Sequence, residues 1–211
     1  MNSDVSQSPE SSKNIWKRHN KTFSLLILLP IGVTGALIIG TLICLRILGL
    51  ICPYAIPTGA MAPAVSAGDH VLMENFTYLL REPRRGDIVV FKADGIDLLD
   101  PSSRYIKRVS GQPAERVRLS DDQLYINEKL TVLSNDFGGI DYGMPLFPPG
   151  VTPRMLPTQT NVTVPDASYF LLGDNSKNSL DSRFFGSVPR RNITGQIWFC
   201  YWPPQRVGLV K

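Results

Sequence analysis

Three segments of this 211-residue chain carry side chains whose types and spacing suit chemistry. The first reads IPTGAMAPAV from Ile56 and runs on to Gly68 and Asp69. The second reads YIKRV from Tyr105 and ends on Gly111, and the third reads GDNSKNSLDSR from Gly173 to Arg183. The second puts a lysine inside an otherwise apolar, strand-like run. At a period of two, Tyr105, Lys107 and Val109 share one face while Ile106 and Arg108 share the other. The alternation therefore has room to bury one of the two cations, without choosing between them. If both lie at a strand edge, they solvate and blunt it. If the lysine is desolvated, burial disfavours its ammonium and lowers the pKa from about 10.4 toward neutrality, which makes a usable general base. Strand pattern alone favours the edge. The third segment is dense in residues that support tight turns and side chain to backbone hydrogen bonds. Asp181 and Arg183 are spaced to pair and shape that loop, although an exposed pair would contribute little.

Other chemistries find few residues. Two histidines and three scattered cysteines give no CxxC pair and no His/Cys cluster, so no metal site is expected. A Ser-His-Asp triad would need His70, which follows Asp69 at a strand start, and there is no GxSxG elbow. Of the cysteines, Cys44 lies in an apolar run, and Cys52 with Cys200 could bridge only if their Cα atoms come close. The net charge of +4 is concentrated near the amino terminus. That leaves no cluster able to neutralise many phosphates, so nucleic-acid binding has no support. Asn161 and Asn192 begin glycosylation-type sequons, which chance also supplies.

The elements that must position these residues begin with an uncharged run over 22–45, TFSLLILLPIGVTGALIIGTLICL. As a helix it would span roughly 36 Å, against a hydrocarbon core of roughly 30 Å. It is longer than the apolar core of a cleavable signal, so an uncleaved anchor is expected. The flank WKRHNK places basic residues before it. A polar, disordered tail over 1–21 is thus expected on the cytoplasmic side, with 46–211 exported. Beyond the anchor, HVLM, DIVVF, RYIKRVS, RVRLS, LYI, SYFLLG and GQIWFCYW read as short strands separated by SAGD, RRGD, GQP and SDD turns. MENFTYLLRE allows at most a turn of helix. The pattern predicts a mostly β domain, a barrel or coiled sheet. Residues 131–165, with six prolines, read as an irregular excursion between strands.

Together, in this order and behind an anchor, the segments resemble the boxes of bacterial type I signal peptidase (leader peptidase). That family's P-S-x-S-M-x-P-T…GD stands here as PTGAMAPA…GD. Its R-G-D-I-V-V-F stands as RGDIVVF from Arg85 to Phe91, its Y-x-K-R-V-x-G-x-P-G-D as YIKRVSGQPAE, and its G-D-N-x-x-x-S-x-D-S-R as GDNSKNSLDSR. The resemblance implies a mostly β fold and a serine/lysine dyad that removes signal peptides from exported preproteins, with no cofactor. It places a single-pass protein in the bacterial cytoplasmic membrane, with the bilayer and signal peptides as partners. By the same resemblance Lys107 falls on the general base, Ser179 on the serine that orients its amine, and Thr58 on the oxyanion-hole hydroxyl. Asp181 and Arg183 fall on the pair that shapes the loop. Ile56, Met61, Val65, Tyr105 and Ile106 fall on or near the shallow apolar walls that accept small substrate side chains.

The nucleophilic serine of that family falls on Ala60. A methyl group cannot attack a carbonyl, so acyl-enzyme chemistry is not expected of this chain. An engineered change, a natural homologue that binds without cleaving, and Thr58 as a displaced nucleophile are the competing explanations. Ala64, Ala114 and Glu115 also depart from the family pattern, which favours natural divergence. Retention of Lys107, Ser179 and the whole loop weighs the other way. Thr58 ranks last, because a shift of two residues moves the oxygen by far more than catalysis tolerates.

Overall fold

The computed structural model describes residues 31–44, 46–135, 138–140, 142 and 161–210. It divides into two units, Met1–Gly49 and Leu50–Lys211. In the first, residues 31–44 form helix α1, whose apolar side chains, among them Ile31, Leu37, Ile38 and Leu42, are exposed. Among the described residues no helix is long and apolar enough to cross a membrane. The expected anchor over 22–45 begins outside the described residues, as does the whole 1–21 tail.

The second unit is mostly β. Its strands are β1 (Ile51–Ala55), β2 (His70–Glu74), β3 (Ile88–Lys92), β4 (Arg104–Gly111), β5 (Arg116–Ser120), β6 (Gln123–Ile126) and β7 (Lys129–Leu130). They continue as β8 (Ser134–Asn135), β9 (Gly138–Gly139), β10 (Asn161–Thr163), β11 (Ser168–Leu172), β12 (Val188–Pro189), β13 (Ile193–Trp202) and β14 (Gly208–Leu209). The helices are single turns, α2 (Thr77–Leu80) and α3 (Ser182–Phe185), with short 3-10 turns beside them. An eight-stranded sheet runs β1-β2-β13-β3-β4-β11-β12, with β14 on β13. A smaller sheet runs β10-β5-β6-β7.

β3 shows why the large sheet is covered on both faces. Its IVVF run is buried throughout, as expected of a strand with no solvent side. Val89 and Phe91 enter a cluster with Val109, Leu171 and Phe185, whereas Ile88 and Val90 enter another with Ile56, Met61, Val65, Val71 and Ile197. A third cluster joins Val117, Leu124 and Ile126 of the small sheet to Phe170 and Leu172 of β11. The strands read from the sequence all form, and MENFTYLLRE yields only α2. The excursion over 131–165 lies largely outside the described residues, but its end is a strand, β10, which pairs with β5.

The register rules out one expectation. Cys52 of β1 lies opposite Met73 of β2, and Cys200 of β13 lies opposite Val71 on the other side of β2. A strand runs between the two thiols. Two strand spacings, about 10 Å, exceed the Cα separation that a disulfide spans.

Candidate active site

β4 is a central strand, paired with β3 on one side and β11 on the other. β11 reaches only Arg108–Gly111, so Lys107 has a strand on one side alone, yet both cations are buried: the reading that they solvate an edge fails, and so does the expectation that only one is buried. Lys107 is 5% exposed and Arg108 2%. Arg108 is accommodated by a two-pronged ion pair, Nε to Asp174 Oδ1 at 2.7 Å and Nη2 to Oδ2 at 2.6 Å, and its Nη1 donates to the Gly86 carbonyl. Such bidentate, charge-assisted bonds are what make a buried guanidinium tolerable.

Lys107 is treated differently. Its Nζ donates to the Ile106 carbonyl at 3.1 Å, and among the described residues no carboxylate comes within ion-pair distance of it. Burial pushes its pKa below the ordinary lysine value. The carboxylates of Asp181 and Asp174 pull it back up, and the Arg183 guanidinium pushes it further down. Asp181 is already neutralised by Arg183, so desolvation wins. The amine lines a cavity of about 230 Å³ together with Ile56, Thr58, Ala60, Met61, Val65, Tyr105 and Ile106. All the residues expected to form substrate walls thus meet at one place, with the Ala60 methyl and the lysine among them. Thr58 is exposed there, while Ile56, Met61 and Val65 are buried.

The loop over 173–183 abuts the strip around residue 60. Asp181 is fully buried and accepts from Gly173 N at 3.1 Å, Arg183 N at 3.2 Å, and Arg183 Nε and Nη2 at 2.8 Å each. Arg183 also donates to Ser176 Oγ and to the Ser176 carbonyl. The pair is therefore an interior brace, not the exposed pair of little consequence that spacing alone suggests. Ser179 is 2% exposed, and its Oγ has no hydrogen-bond partner among the described residues. The expected bond between Ser179 and the amine is not formed. The amine donates to its neighbouring carbonyl, and the methyl of residue 60 has no acceptor to offer it.

Several contacts that build the site carry no signal of their own in the sequence. Asn175 joins the third segment to the first: its N donates to the Ala60 carbonyl at 3.1 Å and its Nδ2 to the Gly59 carbonyl at 3.0 Å. Tyr142, inside the Pro-rich excursion, is buried, with its phenol pushed up by burial and by the Asp174 charge. Arg206 and Asp69 pair across 137 residues. The departures at Ala114 and Glu115 keep their turn: Glu115 pairs with Arg85 and accepts from Gln112 N at 2.8 Å, while Ala114 holds φ +64°. His70 is half-buried with its ring edge against Tyr201. Asn192 is consumed structurally, donating to the Lys92 and Asp94 carbonyls.

Comparison with known proteins gives the family. The family described as signal peptidase, peptidase S26 matches residues 29–202. The chain is 32% identical over 209 residues to "Probable signal peptidase I-2" of Synechocystis sp., covering 98% of this chain and 83% of that one. It is 35% identical over 162 residues to "Probable thylakoidal processing peptidase 2, chloroplastic" of Arabidopsis thaliana, covering 74% of this chain but 39% of that one. A solved signal peptidase I from Enterococcus faecalis V583 aligns at 33% identity and a TM-score of 0.40, covering 55% of this chain and 97% of that one. The order of the three segments, the meeting of the first two at one cavity with the third hydrogen-bonded to the first, and the near full-length match lead to one conclusion: the chain belongs to the signal peptidase S26 family.

Proposed function

We propose that this chain recognises the signal peptides of exported preproteins at the cavity between residues 56–65 and 103–107, and does not cleave them through an acyl-enzyme. In this reading the run over 22–45 anchors it in the bacterial cytoplasmic membrane, with residues 1–21 cytoplasmic and the β unit on the exported side. Lys107 is a general base without its partner, Thr58 an oxyanion donor, Asp181 with Arg183 the brace, and Ser179 a buried hydroxyl that falls on the orienting position without bonding the amine. An extended peptide would lie along the exposed side of residues 103–106, with main-chain hydrogen bonds supplying affinity and the Ile56, Met61 and Val65 wall selecting small side chains.

The observation that carries this reading is a desolvated lysine and an alanine methyl lining the same apolar cavity. The chemistry needs an oxygen at residue 60 and has none there. The test is processing of a model preprotein in detergent. The native chain is expected to bind without cleaving, Ala60→Ser to gain cleavage, and Ala60→Ser with Lys107→Ala to lose it again. Cleavage by the native chain that disappears in Lys107→Ala would overturn the binding-only reading. An inert Ala60→Ser chain would show that divergence reaches beyond residue 60.

A further inference from the structure

The wall of the cavity is one continuous loop, residues 57–69, and it is gripped at two points. At its start, Asn175 holds the Gly59 and Ala60 carbonyls. Its far end is held by Arg206, from a 3-10 turn near the carboxyl end of the described residues. Arg206 Nε donates to Asp69 Oδ1 at 2.8 Å and Oδ2 at 3.0 Å, and its Nη2 donates to the Pro63 carbonyl at 2.8 Å and the Ala64 carbonyl at 3.2 Å. Asp69 is 1% exposed and also accepts from Ser66 N at 2.8 Å. One guanidinium thus fixes two carbonyls and the carboxylate that orders the turn between them. Met61 and Val65, which bridge to each other and line the cavity, lie on the span held by the two grips. Arg206 itself lies outside the 29–202 match to the family.

We infer that Arg206 is a specificity-positioning residue: it sets how far the Met61 and Val65 wall stands from the cavity floor, and hence the size of side chain the cavity accepts. This rests on the peptide-recognition reading. The planar fork of an arginine can span a carboxylate and two carbonyls at once, which a single ammonium cannot. Without it, Asp69 is left as a buried carboxylate lacking its countercharge, and residues 63–66 lose their outer anchor. A wall free to move gives way to larger side chains, so discrimination falls more than affinity does.

The test compares extended signal-type peptides carrying alanine or leucine at the position seated against Met61 and Val65. They are titrated against the native chain, Arg206→Lys and Arg206→Ala. A well-formed apolar pocket discriminates such pairs by about tenfold or more. The native chain is expected to show that preference, and both variants to fall toward equal binding of the two peptides. Amide exchange at Val65 and Ser66 should rise in parallel. If both affinities fall by one common factor, or the preference is unchanged in Arg206→Lys, Arg206 is only structural and the inference is overturned. If the native chain binds neither peptide, the recognition reading itself fails, whatever the exchange rates show. Arg206→Lys keeps the positive charge beside Asp69, and so keeps the test decisive should Arg206→Ala not fold.

Discussion

Gly173 and Ser179 approach so closely that a Cβ on the glycine would lie 2.2 Å from Ser179 Oγ, and also 2.7 Å from the Ala60 carbonyl oxygen. The absent side chain at residue 173 is what lets the loop touch the strip around residue 60. Gly173→Ala must push one of these two segments away. Overpacking of this kind costs about 1–3 kcal/mol, to be read by urea unfolding, and peptide binding should weaken with it. A variant as stable as the native chain would show the contact to be compliant.

Lys107→Met tests the desolvated amine through its pH dependence. The native pKa lies below the value of 10.5 that the side chain regains on unfolding. Between these two values the unfolded chain binds the extra proton, so native stability rises with pH across that window. Methionine removes the charge at similar length. The variant should therefore be most stabilised relative to the native chain below the native pKa, with the advantage shrinking to nothing as pH approaches 10.5. A difference in unfolding free energy that is flat from neutral to alkaline pH would mean that the amine is solvated.

Asp181→Asn probes the brace. It leaves the Arg183 guanidinium buried without its countercharge, and breaking a buried pair in this way costs about 3–5 kcal/mol. Replacing both partners at once, Asp181→Leu with Arg183→Met, should cost clearly less than the single change. Chemical denaturation of both variants decides it, and equal losses would show that the pair behaves as a surface bridge.

At Ala114 the backbone sits at φ +64°, a region that costs a residue with a Cβ about 1–2 kcal/mol. Ala114→Gly should accordingly raise the melting temperature. The glycine's greater freedom when unfolded offsets part of the gain, so the net increase should be under about 1 kcal/mol. A drop in stability would place the strain elsewhere.

Much of this fold was legible because its strands are short, β-branched and punctuated. β1 escaped because Pro53 interrupts its pattern. The structure tolerates a proline there because β1 lies at the end of the sheet, where one side of the strand needs no donor. The lysine strand was found by composition but its cations were misjudged as solvated, since the alternation of one strand does not reveal what covers its two faces. Both cations proved buried: Asp174, 66 residues away, and the Gly86 carbonyl receive Arg108, while Lys107 goes without a carboxylate. Residue types gave Asp181 and Arg183 their place on the loop, but not their depth. Asn175 stands in the GDN of the third segment and Arg206 in no motif, but neither shows in the sequence what it holds. Their importance lies in which carbonyls they reach, and only the folded path of the chain decides that.

Among the described residues, residue 60 is hydrogen-bonded through its carbonyl, by way of Asn175. Residue 60 itself lines the cavity that Lys107 shares. In the reading proposed above, exchanging a hydrogen for a hydroxyl there would add one oxygen at the cavity that Lys107 lines, so a chain of this design would pass between cutting and merely holding by a single atom.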